Sequence, residues 1–185
     1  MQFNKSEKDI DQQIQKIRFI LSDVDGILTD GALLIGSDGT EYKKFHVEDH
    51  SGAALSHFGG IPIGFLSARF SKTTSIRAKE MNIDICEQGF LNKAKKFQEI
   101  CKQNDLSHDE VAYIGDGFVD IPPMKLAGLS IAACNADNEV KKLADVVTEK
   151  KGGTGVLKEV VKFILSKQGK MEEAMRAMKE KVYDA

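Results

Sequence analysis

Short runs of apolar residues alternate along the chain with longer stretches in which apolar residues recur at helical spacing. Short runs bounded by glycine or polar residues predict buried strands, and the stretches between them predict helices. Strands that alternate with helices favour a parallel sheet covered on both faces. The pattern therefore predicts an α/β sandwich of three layers. The predicted strands are residues 17–21, 61–66, 111–114 and 129–133, and the predicted helices are residues 52–58, 72–81, 92–104, 119–127, 138–143 and 155–167.

One segment after the first predicted strand breaks this alternation. Residues 32–35 and 41–47 flank the sequence GSDGT, whose small and polar residues favour a tight turn. A β-hairpin is therefore expected to project as a flap beside the first strand. The segments 25–67 and 93–116 are too short to hold a further domain of about 50 residues besides these elements, so no cap domain is expected.

Composition and charge narrow the class of protein and of partner. The chain has 185 residues, of which 42% are apolar and 29% charged, as in a soluble domain with a sizeable core. One domain, 1–185, is expected, with a core of about 17–165. A net charge of -2 favours neither nucleic acid nor an anionic membrane as partner. Neither a leader segment nor a membrane span is recognised, so a cytoplasmic location and a small-molecule partner are expected.

The end of the chain carries an amphipathic pattern. Met171, Ala174, Met175, Met178 and Val182 recur at helical spacing among charged residues, which predicts a helix over about 170–182. Packing of this apolar stripe on the core is one interpretation. A partner-facing helix is the other, because methionine-rich stripes adapt to irregular surfaces.

The candidate chemistry begins with Asp23 and Asp25, which directly follow the first predicted strand. Residues two apart on a strand project to the same side, at the sheet edge where parallel α/β proteins bind ligands. Two carboxylates so close repel each other unless a cation or a proton lies between them. A simple surface turn is the alternative, since Asp and Gly are common after strands. The pair therefore needs support from other parts of the chain.

Two further polar residues stand where helices follow predicted strands. Ser67 ends the second apolar run, so its hydroxyl and nearby backbone N–H groups are placed to bind phosphate at a helix N-terminus. A serine there is also a common N-cap. Lys93 begins a predicted helix, where a cation opposes the helix dipole and is unfavourable without an anionic partner. Both residues are candidates for holding a phosphoryl group.

Asp116 and Asp120 bring two more carboxylates to the same edge, after the third predicted strand. Asp116 could complete a Mg²⁺ site with Asp23 and Asp25, because Mg²⁺ prefers oxygen ligands. Asp120 could support these ligands or hold Lys93, although by itself it would be a first-turn acid or N-cap. Phosphate-ester cleavage through a covalent intermediate needs a nucleophile, for which Asp23 is the candidate, and a proton donor and acceptor, for which Asp25 is.

The segments DVDGILTD, LSAR, NKAKKF and YIGDGFVD resemble, in order and spacing, the four motifs of the haloacid-dehalogenase-like phosphatases. The resemblance covers residues 17–165. Within that superfamily LTDG, FHVEDHSG, GDGFVDIPPM and GGTGVLKEV are similar to the small capless branch of 3-deoxy-D-manno-octulosonate 8-phosphate phosphatases. The resemblance implies a Rossmann-like fold, Mg²⁺-dependent hydrolysis through an aspartyl phosphate, and a homotetramer in which a neighbouring subunit closes the site.

Carried over by position, the resemblance makes Asp23 the nucleophile and a metal ligand. Asp25 becomes the acid and base, with its backbone carbonyl on the metal, and Asp116 becomes the third protein ligand. Ser67 and Lys93 would hold the phosphoryl group that is transferred. The expected substrate is a phosphorylated 3-deoxy-2-ulosonic acid, whose product feeds surface polysaccharide (lipopolysaccharide) synthesis in the family.

Arg69 in LSAR reaches the sugar acid or a neighbouring flap in this interpretation, or is an exposed cation at a helix start. Three positions depart from the branch: His50 replaces a glycine, Thr154 replaces an arginine, and Gly117 replaces the second aspartate of GDD. His50 and Thr154 stand where substrate selection is expected, so a nine-carbon nonulosonate 9-phosphate is an alternative substrate. His50 is otherwise an ordinary surface or cap histidine.

Two other function classes stay open at this point. A signalling receiver also combines carboxylates, a hydroxyl and a lysine around Mg²⁺, but its phosphoacceptor lies on a later strand than its acidic pair. A non-catalytic interaction module would use the C-terminal stripe for assembly. The order of the residues argues against the receiver, and the retention of all the charged residues argues against the interaction module.

Overall fold

The computed structural model describes the backbone of residues 1–183 and the side chains of residues 1–181. Within that part, seven strands form one mostly parallel sheet, and two further strands form a hairpin. The strands are β1 (Gln2–Phe3), β2 (Phe19–Ser22), β3 (Leu34–Ile35), β4 (Glu41–Tyr42), β5 (Ile63–Ser67), β6 (Ile85–Gln88), β7 (Val111–Gly115), β8 (Leu129–Ala132) and β9 (Val146–Val147). The helices are α1 (Glu7–Lys16), α2 (Val47–Phe58), α3 (Lys72–Glu80), α4 (Lys93–Gln103), α5 (Ile121–Leu126), α6 (Asn138–Leu143), α7 (Val156–Lys167) and α8 (Met171–Tyr183), with 3₁₀ turns at His108–Glu110 and Phe118–Asp120.

The sheet has the order β1-β9-β8-β7-β2-β5-β6, with β2 in a central position. Strand β2 pairs in parallel with β5 on one side and with β7 on the other. All three strands are buried throughout, because helices cover the sheet, and their sequences are correspondingly apolar. The predicted α/β class and the parallel sheet are confirmed, and the four predicted strands are present with ends shifted by at most two residues.

Three strands toward the two ends of the sheet were not predicted. Strand β6 has the mixed sequence ICEQ and is only half-buried, while β1 and β9 have two residues each. Strand β1 pairs antiparallel with β9, so the start of the chain closes one edge of an otherwise parallel sheet. Elements this short have too few side chains to show a periodicity, and their pairing depends on the rest of the fold.

Helix α1 is a further element that the sequence analysis missed. Its Ile10 and Ile14 are completely buried and belong to the same hydrophobic core as the strands. The Ser6 hydroxyl caps the helix by accepting a hydrogen bond from Asp9 N at 3.2 Å. Apolar residues at i and i+4 after a serine are the local signal for such a helix. The core therefore begins before residue 17.

Seven of the eight helices in the described residues fall into two groups that cover the sheet. Helix α7 contacts α1, α2 and α8, and α5 contacts α4 and α6. In α8, Ala174 is buried in the core and Met171 and Met178 are half-buried against it, whereas Met175 is exposed. The side chain of Val182, the last position of the predicted stripe, lies outside the described residues. None of the helices in residues 1–183 has the length and apolar composition needed to cross a membrane.

The flap hairpin consists of β3 and β4, which pair antiparallel around the turn 36–40. Gly36 N donates to Thr40 O at 2.8 Å, and Gly39 N donates to Gly36 O at 2.9 Å. The flap is apolar but exposed: Leu34, Ile35 and Tyr42 keep 65%, 66% and 62% of their accessible surface. An apolar face of this kind on a short hairpin is typical of a surface that another chain covers.

Asp49 makes the stability of the protein sensitive to pH. It is buried in the first turn of α2 and accepts a hydrogen bond from Lys158 N in α7, and burial raises the pKa of Asp49 to about 6. Between about pH 4 and 6 the native protein therefore holds a proton that the unfolded chain has released, so this carboxyl lowers the free energy of unfolding as the pH rises.

Replacing Asp49 with Asn is expected to remove this pH dependence. Between pH 4 and pH 7.5, the free energy of unfolding of the variant, measured with denaturant, should rise by about 2 kcal/mol relative to that of the wild type. Parallel pH dependences of the two free energies would contradict this.

Candidate active site

Three carboxylates meet at the carboxyl ends of β2 and β7. One oxygen each of Asp23, Asp116 and Asp120 lies within 4.8 Å of the other two. Asp23 continues the β2 ladder by one residue, since its N–H donates to Ile114 O at 2.9 Å. Because β2 and β7 are parallel neighbours, their ends deliver these side chains to the same edge of the sheet. The structure therefore brings together the first motif, through Asp23, and the fourth, through Asp116 and Asp120.

Close packing of two loops shapes this edge. Gly26 has φ of +91°, and a Cβ there would overlap Asp116 Oδ2. A Cβ on Gly152 would overlap Gly26 O. Glycine is required by the positive φ at Gly26 and by the close approach at both positions. The two glycines let the DGILTD and GGTG segments pack against each other, and let Gly26 pack against the Asp116 carboxylate.

Asp25 does not join the carboxylate cluster through its side chain, although strand spacing predicted that it would. Strand β2 ends at Ser22 and the chain turns immediately, so the two-residue alternation of a strand does not extend to Asp25. Its carboxylate instead pairs with Lys43, whose Nζ lies 2.9 Å from Oδ2 and 2.7 Å from Oδ1. Asp25 is still close enough to Asp116 to raise the pKa of that carboxyl.

Lys93 is a completely buried cation between two carboxylates. Its Nζ lies 2.9 Å from Asp23 Oδ1 and 2.7 Å from Asp120 Oδ1. Burial opposes the charge, but the attraction of Asp23 and Asp120 outweighs it and raises the pKa of Lys93. The unfavourable position of this lysine at the start of α4 is thus explained by its anionic partners.

Asp120 uses its oxygens to hold other groups. Oδ1 accepts from Lys93 Nζ and, at 2.8 Å, from the Tyr113 hydroxyl. Oδ2 accepts from the backbone N–H groups of Asp116 and Gly117 at 3.1 and 3.0 Å. A carboxylate offers about four lone-pair directions, and these four donors occupy them. Asp120 is therefore arranged to fix Lys93 rather than to bind a cation itself.

The electrostatics of the site favour a bound cation. Burial, and next the repulsion from Asp120, raise the pKa of Asp23 well above its usual value despite Lys93. Burial and Asp120 likewise raise the pKa of Asp116 to about 7. Because two carboxyls resist ionisation, the positive charge of Lys93 is not enough to balance the cluster when all its carboxyls are ionised. Oxygen donors at this spacing suit a hard divalent cation such as Mg²⁺.

Ser67 is the last residue of β5, and Arg69 lies on the loop that follows, beside the flap. Ser67 is buried, and its Oγ accepts a hydrogen bond from Arg69 N at 3.2 Å. The Arg69 guanidinium forms an ion pair with Glu41 on β4 of the same chain. The Glu41 carboxylate also accepts a hydrogen bond from the Ser71 hydroxyl at 2.7 Å. Arg69 is thus held by the protein's own flap.

The two departures from the family pattern occupy different places. Thr154 is exposed, and its hydroxyl donates to Lys151 O at 2.6 Å within the loop that packs on Gly26. His50 lines a cavity of about 960 Å³ whose wall includes Phe19, Pro62 and Ile85. These three residues lie at or just before the amino ends of β2, β5 and β6, whereas the carboxylates follow the carboxyl ends. His50 is therefore directed away from the carboxylate cluster.

Three residues that contact the site were missed by the sequence analysis. Lys43 and Glu41 lie on or next to a flap strand, and Tyr113 lies inside β7. In the sequence, two adjacent lysines suggest two solvent-exposed side chains, and a tyrosine in an apolar strand suggests a core residue. The one available signal was the spacing of Glu41 and Lys43, which places both side chains on the same side of an extended segment.

Comparison with known proteins assigns the family. Residues 63–160 match the haloacid dehalogenase-like hydrolases. The 3-deoxy-D-manno-octulosonate 8-phosphate phosphatase of Escherichia coli K12 is 34% identical over 166 residues, which are 90% of this chain and 88% of that protein. The chain belongs to the haloacid dehalogenase-like hydrolase family. The resemblance that four motifs predicted is confirmed.

Solved structures of other members of this hydrolase family superimpose closely. The 3-deoxy-D-manno-octulosonate 8-phosphate phosphatase of Moraxella catarrhalis, in complex with magnesium ion, phosphate ion and KDO, has a TM-score of 0.89 at 31% identity, covering 93% of this chain and 99% of that one. The cobalt-bound phosphatase of Haemophilus influenzae has a TM-score of 0.84 at 35% identity, covering 86% and 94%. The hydrolase described here thus shares its fold with relatives that bind divalent metals.

Proposed function

We propose that this hydrolase is a Mg²⁺-dependent phosphatase of 3-deoxy-D-manno-octulosonate 8-phosphate. The observation that carries the proposal is the buried Lys93 bridging Asp23 and Asp120 beside Asp116, at the ligand-binding edge of the sheet. This arrangement supplies an anionic nucleophile, a cation for phosphoryl oxygens and oxygen donors for a metal. The similarity to octulosonate phosphatases over nine tenths of the chain supports the substrate class.

The proposed reaction has two halves, and chain residues supply the groups for both. Asp23 attacks phosphorus through a carboxylate oxygen, and the bond from phosphorus to the sugar oxygen breaks. Asp25 gives its proton to that leaving oxygen. Asp25 then takes a proton from the water that attacks the phosphorus of the aspartyl phosphate, which restores the Asp23 carboxylate. Lys93 and Ser67 donate hydrogen bonds to the phosphoryl oxygens during both transfers.

The residues proposed to hold Mg²⁺ are Asp23 and Asp116, together with the backbone carbonyl of Asp25. Bound there, the cation neutralises negative charge on the carboxylates and on the transferring phosphoryl group. Removal of the metal with a chelator should abolish activity, and added Mg²⁺ should restore it.

Affinity for Mg²⁺ is expected to rise with pH. Because the pKa of Asp116 is about 7 without metal, this carboxyl must release a proton to bind Mg²⁺ at pH 6 but not at pH 8. The raised pKa of Asp23 acts in the same direction. Calorimetric titration of the protein with MgCl₂ should therefore give an affinity at least about tenfold higher at pH 8 than at pH 6. An affinity that is equal at the two pH values would contradict the protonated state of the metal-free site.

The choice of sugar acid is open to direct test. Arg69 lies beside the site and could exchange Glu41 for a substrate carboxylate. Specificity is a ratio of kcat/KM values, so the eight-carbon 8-phosphate should be compared with a nine-carbon nonulosonate 9-phosphate under the same conditions. A higher kcat/KM for the nine-carbon substrate would overturn the proposed substrate while leaving the phosphatase activity intact. If neither substrate is hydrolysed, the proposed substrate and the proposed phosphatase activity are both overturned.

We also propose how the molecule is organised and assembled. The burial of α1 and Ala174 in the same core as the sheet supports a single domain over residues 1–185. The exposed apolar side chains of the flap support a homotetramer in which a neighbouring subunit covers the site. A cytoplasmic location would fit an enzyme of sugar-acid synthesis. Light scattering of the purified protein measures the assembly directly.

A further inference from the structure

Lys43, just after β4, is a buried lysine that the mechanism above does not use. Its side chain is 0% exposed, although the flap that carries it is largely exposed. Its Nζ donates to Asp25 Oδ2 at 2.9 Å and to Thr74 Oγ1 at 3.2 Å. A buried ammonium group is costly without such partners, so these contacts determine where it lies. The lysine therefore links the flap to the candidate acid and base.

The segment that carries Lys43 is itself attached to the start of α3. The Ser71 hydroxyl donates to Glu41 Oε1 at 2.7 Å, and the Thr73 hydroxyl donates to Glu41 O at 3.4 Å. Arg69 adds an ion pair to the same glutamate. Since Glu41 and Lys43 are two residues apart on an extended segment, both point toward α3 and the site. The return strand of the flap is thus fixed at the position that delivers the ammonium group to Asp25.

Lys43 contacts both oxygens of the Asp25 carboxyl. Its Nζ lies 2.7 Å from Oδ1 and 2.9 Å from Oδ2, and the contact with Oδ2 also has the angles of a hydrogen bond. Oδ1 is buried and accepts no well-aligned hydrogen bond from the described residues. Lys43 is therefore the group that fixes the orientation of this carboxyl.

We propose that Lys43 is a positioning residue for proton transfer by Asp25. By contacting both oxygens, it fixes the orientation in which the carboxyl meets the leaving oxygen of the substrate. When the phosphorus–oxygen bond breaks, its electron pair stays on that oxygen and takes the proton of the Asp25 carboxyl, while Lys43 keeps all its protons. The inference rests on the proposed function, because it assigns a role within the same reaction.

The proposal predicts that the effect of Lys43 depends on the leaving group. A sugar alkoxide needs a proton to leave, whereas 4-nitrophenolate leaves well without one. The ratio kcat/KM reports the steps through the first transfer, so it isolates this requirement from the later attack of water, which both substrates share. A lysine that only stabilised the fold, the metal or the phosphoryl group would affect both substrates equally.

The experiment compares Lys43→Met and Lys44→Met with the wild type. Lys44 is the matched control, because it is the neighbouring residue, undergoes the same change and is 74% exposed in a pair with Asp30. With Lys43→Met, kcat/KM for the octulosonate 8-phosphate should fall about 100-fold, and for 4-nitrophenyl phosphate less than about threefold. Lys43→Arg should restore most of the loss, since it returns a cationic donor to the Asp25 carboxyl. Lys44→Met should leave both values near the wild type.

Several outcomes would overturn the inference. Equal losses on the two substrates, or no loss on either, would show that Lys43 does not act through the proton of Asp25. Should Lys43→Met fail to fold, as judged by its unfolding midpoint, Lys43→Gln provides the same comparison, because its neutral side chain also removes the cation. If the wild type itself does not hydrolyse the sugar phosphate, the proposed function is overturned. If the wild type is active but the variant loses activity equally on both substrates, only the role of Lys43 is overturned.

Discussion

Replacing Asp23 with Asn is expected to lower kcat for sugar-acid phosphate hydrolysis by at least about 10⁴-fold. The amide has the shape of the carboxylate but cannot act as the nucleophile, so no aspartyl phosphate forms. The fold should persist, because burial and Asp120 already disfavour the Asp23 charge and Lys93 keeps Asp120 as partner. Steady-state release of inorganic phosphate with saturating Mg²⁺ measures the effect.

Asp84→Asn is a suitable control for this substitution. Asp84 is exposed and precedes β6, at the edge of the sheet opposite the carboxylate cluster. The same chemical change there should leave kcat unchanged. Appreciable residual hydrolysis by Asp23→Asn, with the control fully active, would remove Asp23 from the nucleophile role.

Replacing Lys93 with Met is expected to damage both activity and stability. Two buried carboxylates would lose the cation between them, and breaking a buried pair on one side costs about 3–5 kcal/mol. For a chain of this size the unfolding midpoint should fall by about 10 °C at pH 8. Turnover should fall at least about 100-fold, because the phosphoryl oxygens lose a fixed donor. Calorimetric unfolding and phosphate release measure the two effects.

The loss of stability in Lys93→Met should depend on pH in a defined direction. As the pH falls, the stranded carboxyls take up protons and their repulsion disappears, so the difference from the wild type should shrink between pH 8 and pH 5. Lys95→Met is the matched control on the same helix, because Lys95 is exposed. If the two variants had the same midpoint, the network around Lys93 would not contribute to stability.

The sequence was most informative where a polar residue directly follows an apolar strand. Asp23, Ser67 and Asp116 each stand at or next to the end of such a run, and parallel strands bring their carboxyl ends to one edge. Lys93 was detectable because a cation at a helix start needs an anion. The physical rule in each case is local or follows from the sheet itself.

The remaining features depend on contacts between distant segments. Asp25 pairs with Lys43 because the flap folds back onto α3, and the turn after Ser22 rotates Asp25 away from the direction that a strand would give. His50 faces a cavity at the other end of the sheet because of the rotation of α2 about its axis. Sequence spacing determines neither the path of a loop nor that rotation.

The central claim is that a phosphoryl group is transferred to Asp23 before it reaches water. It can be tested by quenching the enzyme with borohydride during turnover of a sugar-acid phosphate with Mg²⁺, since borohydride reduces an aspartyl phosphate to homoserine. Peptide mass spectrometry should then find homoserine at position 23, with residues 25, 116 and 120 unchanged. Homoserine at another of these positions, or unmodified aspartate at all of them while phosphate is still released, would contradict the account.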